Sequence, residues 1–301
     1  MTSTTTTTTV GIDIGAESTK VVLGSSYQCE IVRTDAGLHT FPTAVSFQGS
    51  KLRQVGETVS GNKKIIHLNR LLGSGSGDNF SNANFLDEFY NFDLQTKDDD
   101  STLHVTVDNY NGESRDFSAS ALLAMLLSSI QKSVQATIQR MDGGKTMMPE
   151  SIGSPESMTT YVLTVPPECP PEVCEQVLDA AYAAGFPPNT TKLVNSATAY
   201  AATYHRKFPD FKGGKTAMIV DMGHGQTSVS IVKFGQPGGG GDDDDADETT
   251  TAPAAAPFQV LASKSTAAMG AASVDVKLWK HFQSSNPKLA NVKPKSRAGQ
   301  R

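Results

Sequence analysis

Val10-Gly-Ile-Asp-Ile-Gly15 and Ile219-Val-Asp-Met-Gly-His-Gly225 are the two stretches from which the rest of the chain can be read. Each is an apolar run of strand character that ends in a tight turn, with an aspartate followed two residues later by a glycine. Set face to face, two such turns would close on the phosphates of a nucleotide from opposite sides. Small residues let backbone N–H groups come close to an anion, and each aspartate can hold a water or a hydrated magnesium ion. That arrangement demands two lobes and a cleft, and 301 residues are enough for both.

Around the first stretch, residues 10–14, 20–23 and 29–33 read as short strands, with Gly37 at a turn, so a β meander opens the domain. Residues 48–102 are polar and punctuated by glycine (Gly73-Ser-Gly-Ser-Gly77) and by Asp98-Asp-Asp100, which predicts a peripheral, partly mobile subdomain over about 48–115. A strand at 103–107 leads back to the core. Leu122, Leu126, Ile130, Val134 and Ile138 then recur every fourth residue and predict a core helix capped by Ser118. Ser128, Ser129, Gln131 and Lys132 argue against the same stretch as a membrane span.

Beyond it, an apolar strand at 161–165 ends at Pro166-Pro167, and a helix over 171–184 stops at Gly185. A helix rich in small residues covers 195–204. The second stretch lies on a strand at 215–221, with 228–234 as its hairpin partner. Strand, helix and strand in alternation place the chain in the α/β class. Residues 236–257 are Gly, Asp, Thr and Ala repeats that bury too little to fold, and read as an expanded hairpin loop. A strand at 258–263 and a helix at 273–282 follow. The end carries Lys288, Lys293, Lys295, Arg297 and Arg301 without an element boundary, as though another helix should begin there.

Composition narrows the function classes. With 26 basic against 31 acidic residues the net charge is -5, so no basic face for nucleic acid is suggested. Cys29, Cys169 and Cys174 have no Cys-x-x-Cys spacing, which argues against a disulfide framework or zinc site and for a reducing compartment, the cytoplasm by default with the nucleus also open. The threonine-rich residues 1–9 have neither a basic segment nor an apolar run and read as a disordered tail rather than a secretory signal.

The ordered motifs resemble the nucleotide-binding domain of the seventy-kilodalton heat-shock chaperones, within the actin and hexokinase superfamily. Gly11-Ile-Asp-Ile-Gly15 resembles the first phosphate loop; Asp35-Ala-Gly37 with Thr40-Phe-Pro42 the turn after it; Thr164-Val-Pro166 the interlobe switch proline; Asn195-Ser-Ala-Thr198 the first connecting helix; and Asp221-Met-Gly-His-Gly225 the second phosphate loop. Met-Gly-His looks most like the hundred-and-ten-kilodalton branch, whose members act mainly as nucleotide exchange factors and holding chaperones. The resemblance implies an actin-like ATPase (ribonuclease H-like) fold, with lobe I over 10–212 and a partial lobe II over 213–301. It further implies ATP or ADP with magnesium as cofactors, and a 70-kDa heat-shock chaperone and unfolded client proteins as partners. Phosphate contacts fall on Gly11, Asp13, Gly15, Ala16, Glu17, Asp221, Gly223, His224 and Gly225. Asp13 and Asp221 reach magnesium through water, and Pro166 and Thr198 form the interlobe switch.

Departures from the family pattern point away from turnover. Threonines of the first loop are replaced by Ala16-Glu17-Ser18, and Glu17 repels phosphate unless it turns outward. Asn69 stands where the catalytic lysine precedes an Arg-Leu-Ile-Gly-like segment, here Arg70-Leu-Leu-Gly73, and supplies no cation; Lys63 or Lys64 would have to reach in instead. Ser196, Gln226 and Ser228 replace the glutamate, threonine and aspartate that organise magnesium and water. No catalytic residue is assigned, and hydrolysis is expected to be weak or absent. Family members build the adenine site from sequence beyond this point, so poor adenosine affinity, a truncated product and an aggregation-prone sheet edge are expected. An active folding ATPase and a degenerate non-binding fragment are the alternatives; a small-molecule kinase lacks an evident acceptor-activating base. The duller readings are a ligand-free loop role for His224, no metal at the scattered histidines including His67, a solvated loop for Asp242 to Asp245, and no redox role for Cys169 and Cys174, although thiols at a helix start can be acidic.

Overall fold

A computed structural model describes residues 8–24, 29–48, 52–59, 64–73, 92–96, 102–110, 113–141, 159–208, 215–235, 257–266 and 268–292. The tail at 1–7, Lys63, the serine-glycine run at 74–77, the acidic run at 98–100, the loop at 236–256 with its acidic residues, and the basic end from Lys293 lie outside the described residues.

Strands β1 (Thr8–Ile14), β2 (Ser18–Gly24) and β3 (Cys29–Ile31) form the expected antiparallel meander. Along β1 the apolar side chains alternate, so Val10, Ile12 and Ile14 are buried on one face. The short β4 (Phe41–Pro42) pairs with β2. Strands β5 (Ala44–Gln48), β6 (Leu52–Val55) and β7 (Lys64–Ile66) make a small antiparallel sheet in the order β6-β5-β7. Part of the segment read as peripheral therefore belongs to the core: Ile65, Leu68, Leu71 and Leu72 are buried in the main apolar cluster. Their signal is short and interrupted by charge, which hides it from a periodicity argument.

A third sheet runs β10-β9-β8, from β8 (Asp93–Thr96), β9 (Leu103–Tyr110) and β10 (Glu113–Ser118). Helix α1 (Ala119–Met141) follows, and Ser118 Oγ accepts from the Ala121 N–H at 3.2 Å, as an N-cap does. The polar residues in α1 do not exclude a membrane span by composition, since α1 is long and apolar enough with a mean hydropathy of 1.2. What decides its place is packing: Leu122, Leu123, Leu126, Leu127, Ile130 and Val134 are buried in the core.

Strand β11 (Thr159–Val165) runs parallel to β1, helix α2 (Pro171–Ala183) crosses over, and β12 (Thr191–Asn195) returns parallel to β11. Such parallel pairs need a crossover of this length. The central sheet reads β12-β11-β1-β2-β3. Asn195 caps helix α3 (Ser196–Lys207) by accepting the Ala197 N–H at 2.8 Å. The second lobe is an antiparallel sheet of β13 (Thr216–Met222), β14 (Thr227–Phe234) and β15 (Phe258–Thr266), followed by helix α4 (Ala271–Ser285). A second, smaller buried cluster joins Ala201 of α3 to Val232 and Phe234 of β14, whereas Ala272 and Val276 of α4 pack into the core of lobe I.

Candidate functional site

The first turn is locked by its own backbone and by a neighbouring strand end. Gly15 N donates to Asp13 O at 3.2 Å, and a Cβ on Gly15 would stand 2.5 Å from Ser18 O, which leaves glycine as the only fit. Thr43 donates its hydroxyl to Gly15 O and its N–H to Glu17 O, both at 2.9 Å. The second turn closes through Gly223 N to Gln226 O at 2.9 Å and rests on the start of α4, whose Ala271 and Ala272 N–H groups donate to Gly223 O and His224 O. Those carbonyls take up amides that a helix N-terminus otherwise leaves free.

The two turns meet. A Cβ on Gly225 would lie 2.7 Å from Ala16 Cβ and 2.9 Å from Arg70 Cδ, so contact at this point depends on glycine. Between them opens a cavity of about 260 Å³, lined by Asp13, Gly15, Ala16, Glu17, Asp221, Gly223, His224 and Gly225, by Asn69 and Arg70, by Thr164 and Pro166, and by Ser196 and Tyr200. Two expected residues lie elsewhere. Gly11 sits mid-strand in β1 between Val22 and Val162, and Thr198, turned about 200° around α3 from Ser196, is not among the lining residues.

Asp13 and Asp221 both line this cavity, near enough for the charge of one to act on the other. Asp13 Oδ1 accepts from Thr164 Oγ1 at 2.9 Å, and Lys20 Nζ lies 3.6 Å from Oδ2. Burial raises the Asp221 carboxyl above its ordinary range and the charge of Asp13 raises it further, opposed by a hydrogen bond from Tyr200 and by Lys20. The Tyr200 hydroxyl is pushed up to about 12 by burial and then by the two carboxylates, so it stays a donor. A divalent cation between the aspartates relieves their repulsion. Two carboxylates are fewer oxygens than magnesium takes, so waters and phosphate oxygens would complete its shell, as the contact through water requires. The chemistry of the donor set therefore fits phosphate and magnesium.

Asn69 donates its amide to Ile14 O at 3.1 Å, while its buried Oδ1 has no hydrogen-bond partner. It braces the first turn and brings no charge. Arg70, buried beside it, is the cation of this segment at the cavity. Glu17 lines the mouth of the cavity with its side chain 74% exposed, so solvent screens the repulsion expected for phosphate.

His224 is not the isolated loop residue that its sequence neighbours suggest. Its Nε2 lies 3.0 Å from Nε2 of His67, 157 positions away, and its Nδ1 lies 3.8 Å from Glu17 Oε2. His67 is held down to about 3 by burial, by His224 and by Arg70, so it is neutral. The acidic-thiol idea also fails at Cys169, whose thiol is pushed up by burial, by its hydrogen bond to Cys174 and by nearby negative charge.

Sequence reasoning assigns no role to Lys20, His67 or Tyr200. Lys20 has a readable signal, since a tight β1-β2 hairpin puts it directly opposite Asp13. Tyr200 lies one helical turn from Ser196 on the same face of α3, whereas His67 has no local signal. Just after Pro166 the two lobes also touch: Ser265 Oγ donates to Pro167 O at 3.0 Å and Ser265 N to Glu168 Oε2 at 3.0 Å.

Comparison with known proteins agrees with the motif order. The family model described as Hsp70 protein matches residues 9–240. Similar proteins include heat shock protein hsp88 of Neurospora crassa, 27% identical over 235 residues, which are 75% of this chain and 30% of that one. Heat shock 70 kDa protein 4 of Rattus norvegicus is 26% identical over 235 residues, 75% of this chain and 25% of its own length. Heat shock 70 kDa protein BIP3 of rice is 25% identical over 231 residues, 75% of this chain and 31% of that one. The chain thus spans about a third or less of these relatives. With a matching family model across most of its length, the chain belongs to the Hsp70 family and carries its actin-like nucleotide-binding fold.

Proposed function

We propose that this chain binds the phosphate and magnesium end of ATP or ADP between its two turns and serves the 70-kDa heat-shock system as a co-chaperone of the hundred-and-ten-kilodalton kind. In this role it promotes nucleotide exchange on a partner chaperone and holds unfolded clients, with little or no hydrolysis of its own. The observation that carries the reading is the pairing of an intact cradle with a neutral Asn69. Asp13, Gly15, Asp221 and Gly223 surround the cavity, while the side chain at the position of the catalytic lysine is tied to Ile14 O.

Each group has a defined task. The glycines bring backbone N–H groups to phosphate, Arg70 and Lys20 offset its charge, and Asp13 and Asp221 hold water around magnesium, fixed by Thr164 and Tyr200. Magnesium held there would neutralise part of the phosphate charge. Nothing at Asn69, Ser196 or Gln226 takes a proton from an attacking water, because none of these side chains titrates near neutral pH. ATP therefore acts as a ligand that holds the lobes together rather than as fuel.

Release of a fluorescent nucleotide from a 70-kDa chaperone, with and without stoichiometric full-length protein, tests the exchange function. Acceleration is expected. An unchanged release rate rejects it, and single-turnover hydrolysis clearly faster than that of Asp13→Ala would favour an active folding ATPase instead.

A further inference from the structure

Lys20 brings a cation into the cleft that neither phosphate turn encodes. Strands β1 and β2 pair so that Lys20 stands directly opposite Asp13. Both side chains leave the sheet on the face away from the buried Val10, Ile12, Val21 and Leu23. On that face each oxygen of the Asp13 carboxylate already has a protein neighbour: Oδ1 accepts from Thr164 Oγ1 at 2.9 Å, and Lys20 Nζ lies 3.6 Å from Oδ2. Asp221 accepts from Tyr200, and the charge of Lys20 reaches it as well. The lining of the cavity thus sets Lys20 and Arg70 against Asp13, Glu17 and Asp221.

The two cations differ in freedom. Arg70 is buried and packs against Gly225, whereas the Lys20 side chain is 59% exposed on a flexible four-carbon stem. An exposed ion pair at this separation holds its partners loosely. The ammonium can therefore pass from carboxylate to phosphate by turning its own stem, with no change of backbone. We propose, on the reading that this cleft holds nucleotide phosphate, that Lys20 is a built-in cation which takes over the charge neutralisation expected of a divalent metal, so that the cleft binds ADP without magnesium. Lys20 offsets the two aspartates while the cleft is empty and turns to the phosphates when nucleotide enters, with Arg70 and the backbone N–H groups of the turns supplying the remaining positive field. Because Lys20 and magnesium would share Asp13, the metal adds little to affinity. Nucleotide occupancy then follows nucleotide concentration and is nearly indifferent to free magnesium.

The test is calorimetry of ADP binding to the full chain, once with excess magnesium chloride and once with excess EDTA. The two dissociation constants of the unaltered chain should agree within about fivefold. In EDTA, Lys20→Met should weaken binding by at least about thirtyfold, with most of the loss regained in magnesium, whereas Lys20→Arg should stay within about tenfold of the unaltered chain. Binding that is present in magnesium and lost in EDTA overturns the proposal and leaves the phosphate cleft standing. Metal-free binding that Lys20→Met retains also overturns it, and assigns the charge to Arg70 instead. No binding in either buffer removes the cleft reading and the proposal together. Should Lys20→Met fail to fold, acetylation of the unaltered chain by acetic anhydride, followed by peptide mass spectrometry, decides: ADP in EDTA should slow modification of Lys20 several-fold, and an unchanged rate overturns the proposal.

Discussion

The turn after β1 and the turn after β13 are alike in sequence and unlike in support. The first hangs from β1, which has a paired strand on either side and a face buried in the large core with α1 and α2. The second hangs from β13, at the edge of a three-stranded sheet whose buried residues Val232 and Phe234 form only a small cluster with Ala201 of α3. The other face of β13 leaves Met218, Val220 and Met222 65%, 50% and 72% exposed. Lobe II holds its turn mainly through α4, which borrows the core of lobe I with Ala272 and Val276. The same motif can therefore be rigid in one half of the cleft and dependent on its neighbour in the other.

The largest effect that should expose this contrast is in the core. Leu126→Ala, at a fully buried position of α1, should cost about 2–5 kcal/mol in chemical denaturation and unfold both lobes together. Hydrogen exchange on the unaltered chain should in turn find the amides of β13 and β14 opening well below the free energy needed for β1 and β11. Equal protection of the two sets would remove the contrast. Next in size is Gly225→Ala, whose added Cβ meets Ala16 and Arg70; a loss of about 1–3 kcal/mol and at least tenfold weaker ATP binding are expected, and unchanged affinity would mean the turns do not need to touch.

The pH dependence follows from His67. Its folded value of about 3 lies below the ordinary 6.5, so the unfolded chain takes up the proton first as pH falls. Stability from this group is whole above about pH 6.5 and declines between 6.5 and 3 by up to about 1.4 kcal/mol per unit. Denaturant midpoints in metal-free buffer at pH 7.5 and 5.5 should fall further for the unaltered chain than for His67→Asn, and equal falls would contradict the buried neutral ring. The smallest effect is at the interlobe helix: Asn195→Ala removes the cap of α3 and should cost about 1 kcal/mol, read in the same melts.

Legibility in the sequence follows the same divide. The apolar alternation of β1 and the four-residue spacing of α1 are local patterns written by burial, and both elements lie where those patterns put them. The Asp13 and Asp221 turns are readable because glycine is demanded by close approach. The sheet β6-β5-β7 is not, because strands of three to five residues leave too little periodicity. The meeting of His67 with His224 and of Tyr200 with Asp221 is hidden for another reason. Each is a contact between lobes, fixed by how they close and by nothing within a helical or strand period of either residue.

Whether the cleft binds without turning over is decided by calorimetry of magnesium ATP binding to the full chain, followed by single-turnover hydrolysis on the same sample. One saturable site, lost in Asp13→Ala, is expected, with phosphate release no faster than in that variant. No heat of binding, or prompt release of phosphate that Asp13→Ala abolishes, would contradict it.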